Sequence, residues 1–166
     1  VIEQYRPGRF DVTLTGRDMR LRFPEGMRSL VDADLSLTGK MEQATLGGTV
    51  LIRSAVYTRR FDAGGGVFEL AGGATTQTST LPIAASLPLR YDVRINAPST
   101  VRIENNTARV VASADLQLRG TFDRPLLLGR AEIDRGEVLF EGKRYLVTRG
   151  TIDFNNPSRI QPFFAV

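Results

Sequence analysis

Apolar and polar side chains alternate along most of this chain, in short runs that end near glycine or proline. The alternation is clearest over residues 108–118, where Val110 and Leu116 lie on the apolar side and Arg109 and Asp115 on the other. Successive side chains of a β-strand point to opposite faces. Strict alternation therefore predicts strands with one covered face and one face in water. The pattern predicts an all-β chain.

The stretch 127–166 shows the same alternation between regularly spaced breaks. Gly129, Gly136, Gly142 and Gly150 divide it into short apolar–polar runs. Glycine adopts the positive φ angles of tight turns without steric cost. The spacing predicts a β-meander with a turn at each of these glycines.

The earlier part of the chain predicts further strands with less regular boundaries. Runs over 10–16, 19–23 and 31–39 are each closed by glycine or proline, and the pattern becomes unclear from 40 to 62. A short strand at 67–70 and a loop over 72–82 follow from glycine pairs and a Thr/Ser-rich run. In total the pattern predicts roughly ten to twelve strands and negligible helix.

One sequence segment recurs later in the chain, which suggests repetition of a structural unit. The segment Ala33-Asp34-Leu35-x-Leu37-x-Gly39 recurs 81 residues later as Ala114-Asp115-Leu116-x-Leu118-x-Gly120. Gly48 and Ile52 recur in the same register as Gly129 and Ile133. Elongated β structures grow by repeating a unit that leaves a face unburied. We predict repeat units at about 10–62 and 89–147 within a single elongated β domain over 1–166, itself a fragment of a larger chain.

The composition removes most catalytic chemistry. The chain of 166 residues contains no histidine, cysteine or tryptophan, which excludes Ser-His-Asp triads, thiol nucleophiles and the usual zinc ligands. The glycine clusters lack the lysine and helix of a phosphate-binding loop. We expect neither enzyme activity nor a bound cofactor or metal.

Paired carboxylates are the remaining candidates for chemistry. Asp32 and Asp34 share the polar side of one run, as do Glu132 and Asp134. Glycoside hydrolysis needs one carboxyl group with a raised pKa in an apolar setting. The four carboxylates instead alternate with apolar positions and lie on the solvent-exposed face. The sequence also lacks the residue spacing of a calcium-binding loop. We interpret them as solvated strand charges.

The chain carries a net charge of +4, with 20 arginines among its 22 basic residues. Most arginines fall at the polar positions of alternating runs, which is typical of a solvated face; contact with anionic headgroups or acidic partners is the alternative. Single-strand nucleic-acid binders place aromatic residues among their basic ones. Here Tyr91, Phe140 and Tyr145 lie on the apolar side, so we expect no nucleic acid.

The apolar side allows two interpretations. Two sheets of a closed sandwich would bury it mutually, as in a protein-interaction or structural module. In an open, curved sheet it would line a groove that needs an apolar occupant. The candidate site consists of the apolar residues of the most regular runs: Val110, Ala112, Ala114, Leu116, Leu118, Ala131, Ile133, Val138, Phe140, Tyr145, Val147, Ile152 and Phe154.

About thirty residues also carry a family resemblance. The C-terminal part resembles the TamB (translocation and assembly module) C-terminal domain family, within the AsmA-like envelope proteins of Gram-negative bacteria. The matching positions are Gly136, Val138, Phe140, Gly142, Tyr145, Val147, Gly150, Ile152, Phe154, Pro157, Ile160 and Pro162.

The resemblance implies an elongated, mostly antiparallel sheet, folded over like a taco around a hydrophobic groove. The implied cargo is phospholipid acyl chains, or outer-membrane protein strands, carried between the inner and outer membranes in outer-membrane biogenesis and protein secretion. It further implies a periplasmic location, an inner-membrane anchor elsewhere in the parent chain, and a TamA-like outer-membrane partner of the Omp85 class. Because open sheet edges recruit other strands, we also expect self-association through the edges.

Overall fold

Nine β-strands make up the part of the chain that the structure describes. The computed structural model describes residues 9–22, 25–40, 43–60 and 89–165. The strands are β1 (Phe10–Leu21), β2 (Met27–Lys40), β3 (Gln43–Tyr57), β4 (Leu89–Glu104), β5 (Ala108–Thr121), β6 (Pro125–Phe140), β7 (Lys143–Val147), β8 (Gly150–Phe154) and β9 (Pro162–Ala165).

All nine strands belong to one sheet. Its order is β1-β2-β3-β4-β5-β6-β8-β9, and β7 pairs with the part of β6 that β8 leaves uncovered. Every pairing is antiparallel except that of β3 with β4, which is parallel. Within the described residues there is no helix, and β1 and β9 are open edges. The prediction of an all-β, mostly antiparallel sheet is confirmed.

Bulges interrupt the long strands at one level of the sheet. The register of β1 against β2 shifts between Gly16 and Met19, and that of β4 against β5 between Ala97 and Val101. Single extra residues in β3 and β6, Arg53 and Asp134 respectively, shift the other two hairpins. A bulge bends its strand and increases the local twist. Aligned bulges therefore curve the whole sheet, as expected for a folded-over sheet.

The same displacement of 81 residues relates the strand pairings of β1–β3 to those of β4–β6. Leu37 pairs with Leu46 as Leu118 pairs with Leu127. The bulge in the β2–β3 hairpin follows Leu30, and that in the β5–β6 hairpin follows Val111. Even the unusual backbone recurs, since Asp18 and Ser99 have φ angles of 53° and 52°. The two sets of three strands share their register except beyond the bulge of the first strand, where Met19 pairs with Val31 but Val101, one residue later than the displacement predicts, pairs with Ala112.

The predicted turns at Gly129 and Gly136 are wrong. Both glycines lie inside β6, whose strand continues to Phe140. Gly129 has φ of 120°, and a Cβ there would lie 2.2 Å from the carbonyl oxygen of Asp115 in the neighbouring strand. A Cβ on Gly136 would lie 2.6 Å from the Cα of Val110. Glycine is required here for close approach between strands and not for chain reversal. The turn at Gly142, with φ of 75°, is confirmed.

Several predicted strands also merge into longer ones. Residues 10–16 and 19–23 were predicted as two strands; Phe10–Leu21 forms one bulged strand, because the bulge absorbs Arg17 and Asp18 without ending the pairing. The unclear region after residue 42 is the continuous strand β3. The predicted strand at 67–70 and the loop over 72–82 lie outside the described residues.

Candidate functional site

The strand registers place all thirteen predicted site residues on one face of the sheet. Cross-strand partners share a face, and side chains alternate along each strand. In β5 and β6, Leu118 lies opposite Leu127 and Ala112 opposite Ile133. The shorter strands add residues to the same face: Tyr145 opposite Val138, Val147 opposite Gly136, Ile152 opposite Ala131 and Phe154 opposite Gly129.

We call this side of the sheet, with its register partners in β1–β4, the apolar face. Its partners in the first unit include Val12, Leu14, Leu35 and Val50. Across β1–β6, every paired position on this face is apolar, aromatic or glycine, and Ser29 is the exception. The apolar surface therefore continues across six neighbouring strands without a charged side chain at a paired position.

Burial on the apolar face is greatest at small residues in the middle of the sheet. Val110 is 6% exposed, and the other buried residues of this face are mainly alanine and valine. Large side chains toward the margins stay open, with Leu14 58% and Phe140 61% exposed. Among the described residues, no large side chain is completely buried. Neighbouring side chains and the curvature of the sheet cover part of the apolar face. The described residues do not form an enclosed core like the one between two packed sheets.

The closed-sandwich interpretation requires a second sheet against the apolar face. The nine described strands form one sheet, so none of them supplies that second layer. A sandwich core of two sheets about 10 Å apart would enclose side chains such as Leu14, which here remains exposed. The described part of the chain is an open sheet.

Tyr91 reports on the environment of the apolar face. It lies on this face in β4, opposite Gly120, and is half-buried. Burial raises the pKa of its phenol above the ordinary value of 10.0, because ionisation would place a charge where hydration is poor. The sheet therefore shields Tyr91 from part of the surrounding water.

The opposite side of the sheet, which we call the polar face, carries ion pairs between adjacent strands. In the first unit, Arg17 of β1 binds both carboxylate oxygens of Asp34 in β2, at 2.9 and 3.0 Å. Arg53, the bulge residue of β3, lies 3.4 Å from both Asp18 and Asp32. These contacts join each strand to its neighbour at the level of the bulges.

The second unit has its own ion pairs on the polar face. Arg119 of β5 lies 3.8 Å from Asp92 of β4, and Arg130 of β6 lies 2.6 Å from Asp153 of β8. At the bulge the charge differs, because Asp134 replaces the arginine found at position 53. Its Oδ1 accepts a hydrogen bond from the Ser113 hydroxyl, whereas its buried Oδ2 has no hydrogen-bond partner among the described residues.

Three pKa shifts on the polar face have the same origin. The hydrogen bond from Arg17 lowers the pKa of the Asp34 carboxyl below its ordinary value, and the guanidinium pKa rises in return. The hydrogen bond to Asp153 likewise raises the pKa of Arg130. Each charged form is stabilised by its partner, as expected of structural ion pairs in water.

A separate cavity of about 670 Å³ lies where β4 turns into β5. Its lining is mostly polar and charged: Thr58, Arg60, Glu104, Asn105, Asn106, Arg109, Val110 and Val111. Of the thirteen predicted site residues it includes Val110 alone. The cavity is therefore not the apolar site.

In the described segments, no helix is long and apolar enough to cross a membrane.

The sequence-based site omitted the half of the apolar face that β1–β4 contribute. Val93 and Ile95 lie opposite Leu118 and Leu116 and belong to the same surface. Their alternation with charged residues was the available signal. What no pattern indicated was that β3 and β4 would pair in parallel and join the two units into one surface.

The family comparison bears on the whole chain. The model of the TamB C-terminal domain matches residues 2–166. No curated protein was matched by sequence. A match over nearly every residue, on a chain that forms one open sheet with a continuous apolar face, shows that this chain belongs to the TamB C-terminal domain family.

Proposed function

We propose that this chain is a segment of a hydrophobic conduit that carries phospholipid acyl chains between the two membranes of a Gram-negative envelope. The supporting observation is the apolar face, which runs uninterrupted across β1–β6 and has no second sheet over it in the described residues. Exposed contiguous apolar surface on a protein marks an interaction site. Here that surface is a long strip and not a pocket.

The cargo class follows from the chemistry of the face. It offers methyl, methylene and aromatic groups and, at its paired positions in β1–β6, no charge. Shielding an acyl chain from water gains about 0.8 kcal/mol for each CH₂ group covered. A surface with no charged recognition group at its paired positions in β1–β6 holds any such chain similarly well at each point, so the chain can move along it.

The small residues of the middle strands suit this role. Ala112, Ala114 and Ala131 lie side by side on the apolar face in β5 and β6, and each is partly exposed. Side chains this short leave space above the sheet between the longer leucine and isoleucine neighbours. We infer that this small-residue strip is the floor of the path.

The polar face keeps the conduit in water. Its ion pairs and unpaired charges remain largely exposed, and no covalent step is assigned to any of them. Family membership supports a position in the Gram-negative envelope and a working partner of the Omp85 class for the parent protein. The cargo, the periplasmic location and the partner are parts of the proposal.

A matched pair of arginine substitutions tests the conduit. Leu116→Arg places a charge on the apolar face, whereas Asn96→Arg adds the same charge to the polar face, opposite Asp115. The readouts are the lipids that co-purify with each protein, identified by mass spectrometry, and crosslinking to a phospholipid with a photoreactive acyl chain.

We expect wild type and Asn96→Arg to retain acyl-chain crosslinking and Leu116→Arg to lose most of it while remaining folded by circular dichroism. Equal crosslinking in all three folded proteins would overturn the placement of the path. Absence of lipid from the wild type would overturn the proposed cargo.

A further inference from the structure

The cavity at the β4–β5 turn opens on the polar face, near one end of the strands. Three residues of its lining, Glu104, Arg109 and Val111, lie on that face, since Glu104 pairs with Arg109 and side chains alternate along β5. Its volume of about 670 Å³ is that of a small-molecule site. The charges around this cavity are arranged differently from those on the rest of the polar face.

Four arginines gather around Val111 and the cavity. The cross-strand partners of Val111 are Arg102 of β4 and Arg135 of β6, and Arg109 is the next residue of β5 on the same face. Arg60, which follows the end of β3, also lines the cavity. All four arginines are exposed. We call Arg60, Arg102, Arg109 and Arg135 the arginine cluster.

Elsewhere on the polar face, several arginines are neutralised within the sheet. Arg17, Arg119 and Arg130 each form an ion pair with an aspartate of the neighbouring strand. For the arginine cluster, the described residues provide one such contact, and it is long, because Arg109 Nη1 lies 4.0 Å from Glu137 Oε1. That separation exceeds the length of a hydrogen bond. The cluster therefore has guanidinium donors to offer to an anion from outside the chain.

Hydrogen bonds within the chain position the backbone of the cluster. Asn105 Oδ1 accepts hydrogen bonds from the backbone N–H groups of Thr107 and Ala108, which closes the turn. Asn105 Nδ2 donates to the carbonyl oxygen of Arg59 at 3.2 Å. This bond ties the chain after β3 to the turn, and Arg60 is the next residue. Donors on a backbone that is already ordered lose less conformational entropy when a ligand binds.

We propose that the cavity binds a phosphate group through the guanidinium groups of the arginine cluster. A guanidinium group donates two parallel hydrogen bonds to phosphate oxygens. Phosphate has more acceptor oxygens than a carboxylate, so one phosphate group can engage several guanidinium groups at once. Glu104 and Glu137 lie on either side of Arg109 across the sheet, so four arginines and two glutamates leave a net charge of +2. A phosphate monoester, with about two negative charges at neutral pH, matches that excess.

A soluble phosphate monoester and a lipid headgroup offer the same chemical group. Glycerol 3-phosphate and dihexanoyl phosphatidic acid, used below its micelle concentration, are suitable probes because they differ only in their acyl chains. Acetate is the carboxylate control. Binding to the full chain of 166 residues is measured from changes in its amide chemical shifts. The site lies on the polar face, so the inference goes beyond the proposed conduit and does not depend on it.

We expect glycerol 3-phosphate to cause saturable shifts centred on Arg109 and Val111, and acetate to bind much more weakly. Arg109→Gln and Arg135→Gln should each weaken phosphate binding by about tenfold, because each removes charge-assisted hydrogen bonds. Arg94→Gln removes the same charge from the polar face of β4, opposite Gln117, and should leave the affinity unchanged. Circular dichroism establishes that each variant is folded.

Tighter binding of dihexanoyl phosphatidic acid than of glycerol 3-phosphate, with shifts still centred on Val111, would support the site and identify a lipid as its ligand. Equal affinity for the two probes would support the site and identify a soluble phosphate. Equal weakening by Arg94→Gln would indicate general attraction to a basic chain and would overturn the proposal. Acetate binding as tight as phosphate binding, or shifts that do not saturate, would also overturn it.

Discussion

Gly129 lies directly opposite Leu116, and the close approach of their strands leaves no room for a side chain at the glycine. The φ of Gly129 is 120°, which is unfavourable for a residue with a side chain. A Cβ atom at this position would also lie 2.2 Å from the carbonyl oxygen of Asp115. Gly48 repeats both features opposite Leu35, with φ of 125°. The pair of glycines fixes the separation of strands in both units.

Gly129→Ala should therefore destabilise the protein by about 2 kcal/mol or more, through backbone strain and overlap with the neighbouring strand. The measurement is the urea midpoint of unfolding. Gly47→Ala is the matched control in β3, since its nearest contact would be 3.6 Å and its φ is not positive. That change should be neutral or slightly stabilising. Equal midpoints for the two variants would contradict the role assigned to Gly129.

Charge on the apolar face should have effects that depend on local burial. Val110→Asp places a carboxylate at a 6% exposed position, where an uncompensated charge costs about 3 kcal/mol or more. Phe140→Asp, at a 61% exposed position of the same face, should change the stability by less than about 1 kcal/mol. Thermal melts of both variants are compared with wild type. A stable Val110→Asp protein would show that water reaches the centre of the face.

The Arg17–Asp34 pair should contribute to stability in mild acid and lose that contribution at lower pH. Arg17 lowers the pKa of Asp34 below 3.8, so the folded protein binds this proton less readily than the unfolded chain does. The contribution is complete above the ordinary pKa and disappears as pH falls through the lower folded-state value. It is small, because both side chains are half exposed.

The direct measurement is an NMR titration of the Asp34 carboxyl carbon. Arg17→Met should return the pKa of Asp34 toward its ordinary value while the apolar face stays intact. An unchanged Asp34 titration in this variant would show that another group holds the pKa down.

The Arg130–Asp153 pair should anchor β8 on β6. Its 2.6 Å contact joins β6 to the strand that carries Ile152 and Phe154. Asp153→Asn should reduce global stability only slightly, as is usual for exposed pairs. Amide exchange of β8 and β9 should nevertheless accelerate, since these short strands depend on few contacts. Exchange that accelerates equally in β2 would mean the pair acts on the whole sheet.

The sequence was sufficient to assign faces and insufficient to assign strand ends. Side-chain direction has a period of two, so residues such as Leu116 and Ile133 could be placed on one face from alternation alone. Gly129 and Gly136 were misjudged because a glycine required for close strand approach has the same sequence signature as one required for a turn. Bulges at Asp18 and Asp134 depend on cross-strand pairing, which local pattern does not encode.

The parallel joint between β3 and β4 sets the order in which the sheet can assemble. Hairpins such as β2–β3 and β5–β6 close short connections and form early, whereas the joint must close the 31 residues between Tyr57 and Leu89. The entropy cost of that longer closure is met only when both partner strands already exist. We therefore expect the hairpins of each three-strand unit to form before the parallel joint between β3 and β4 closes.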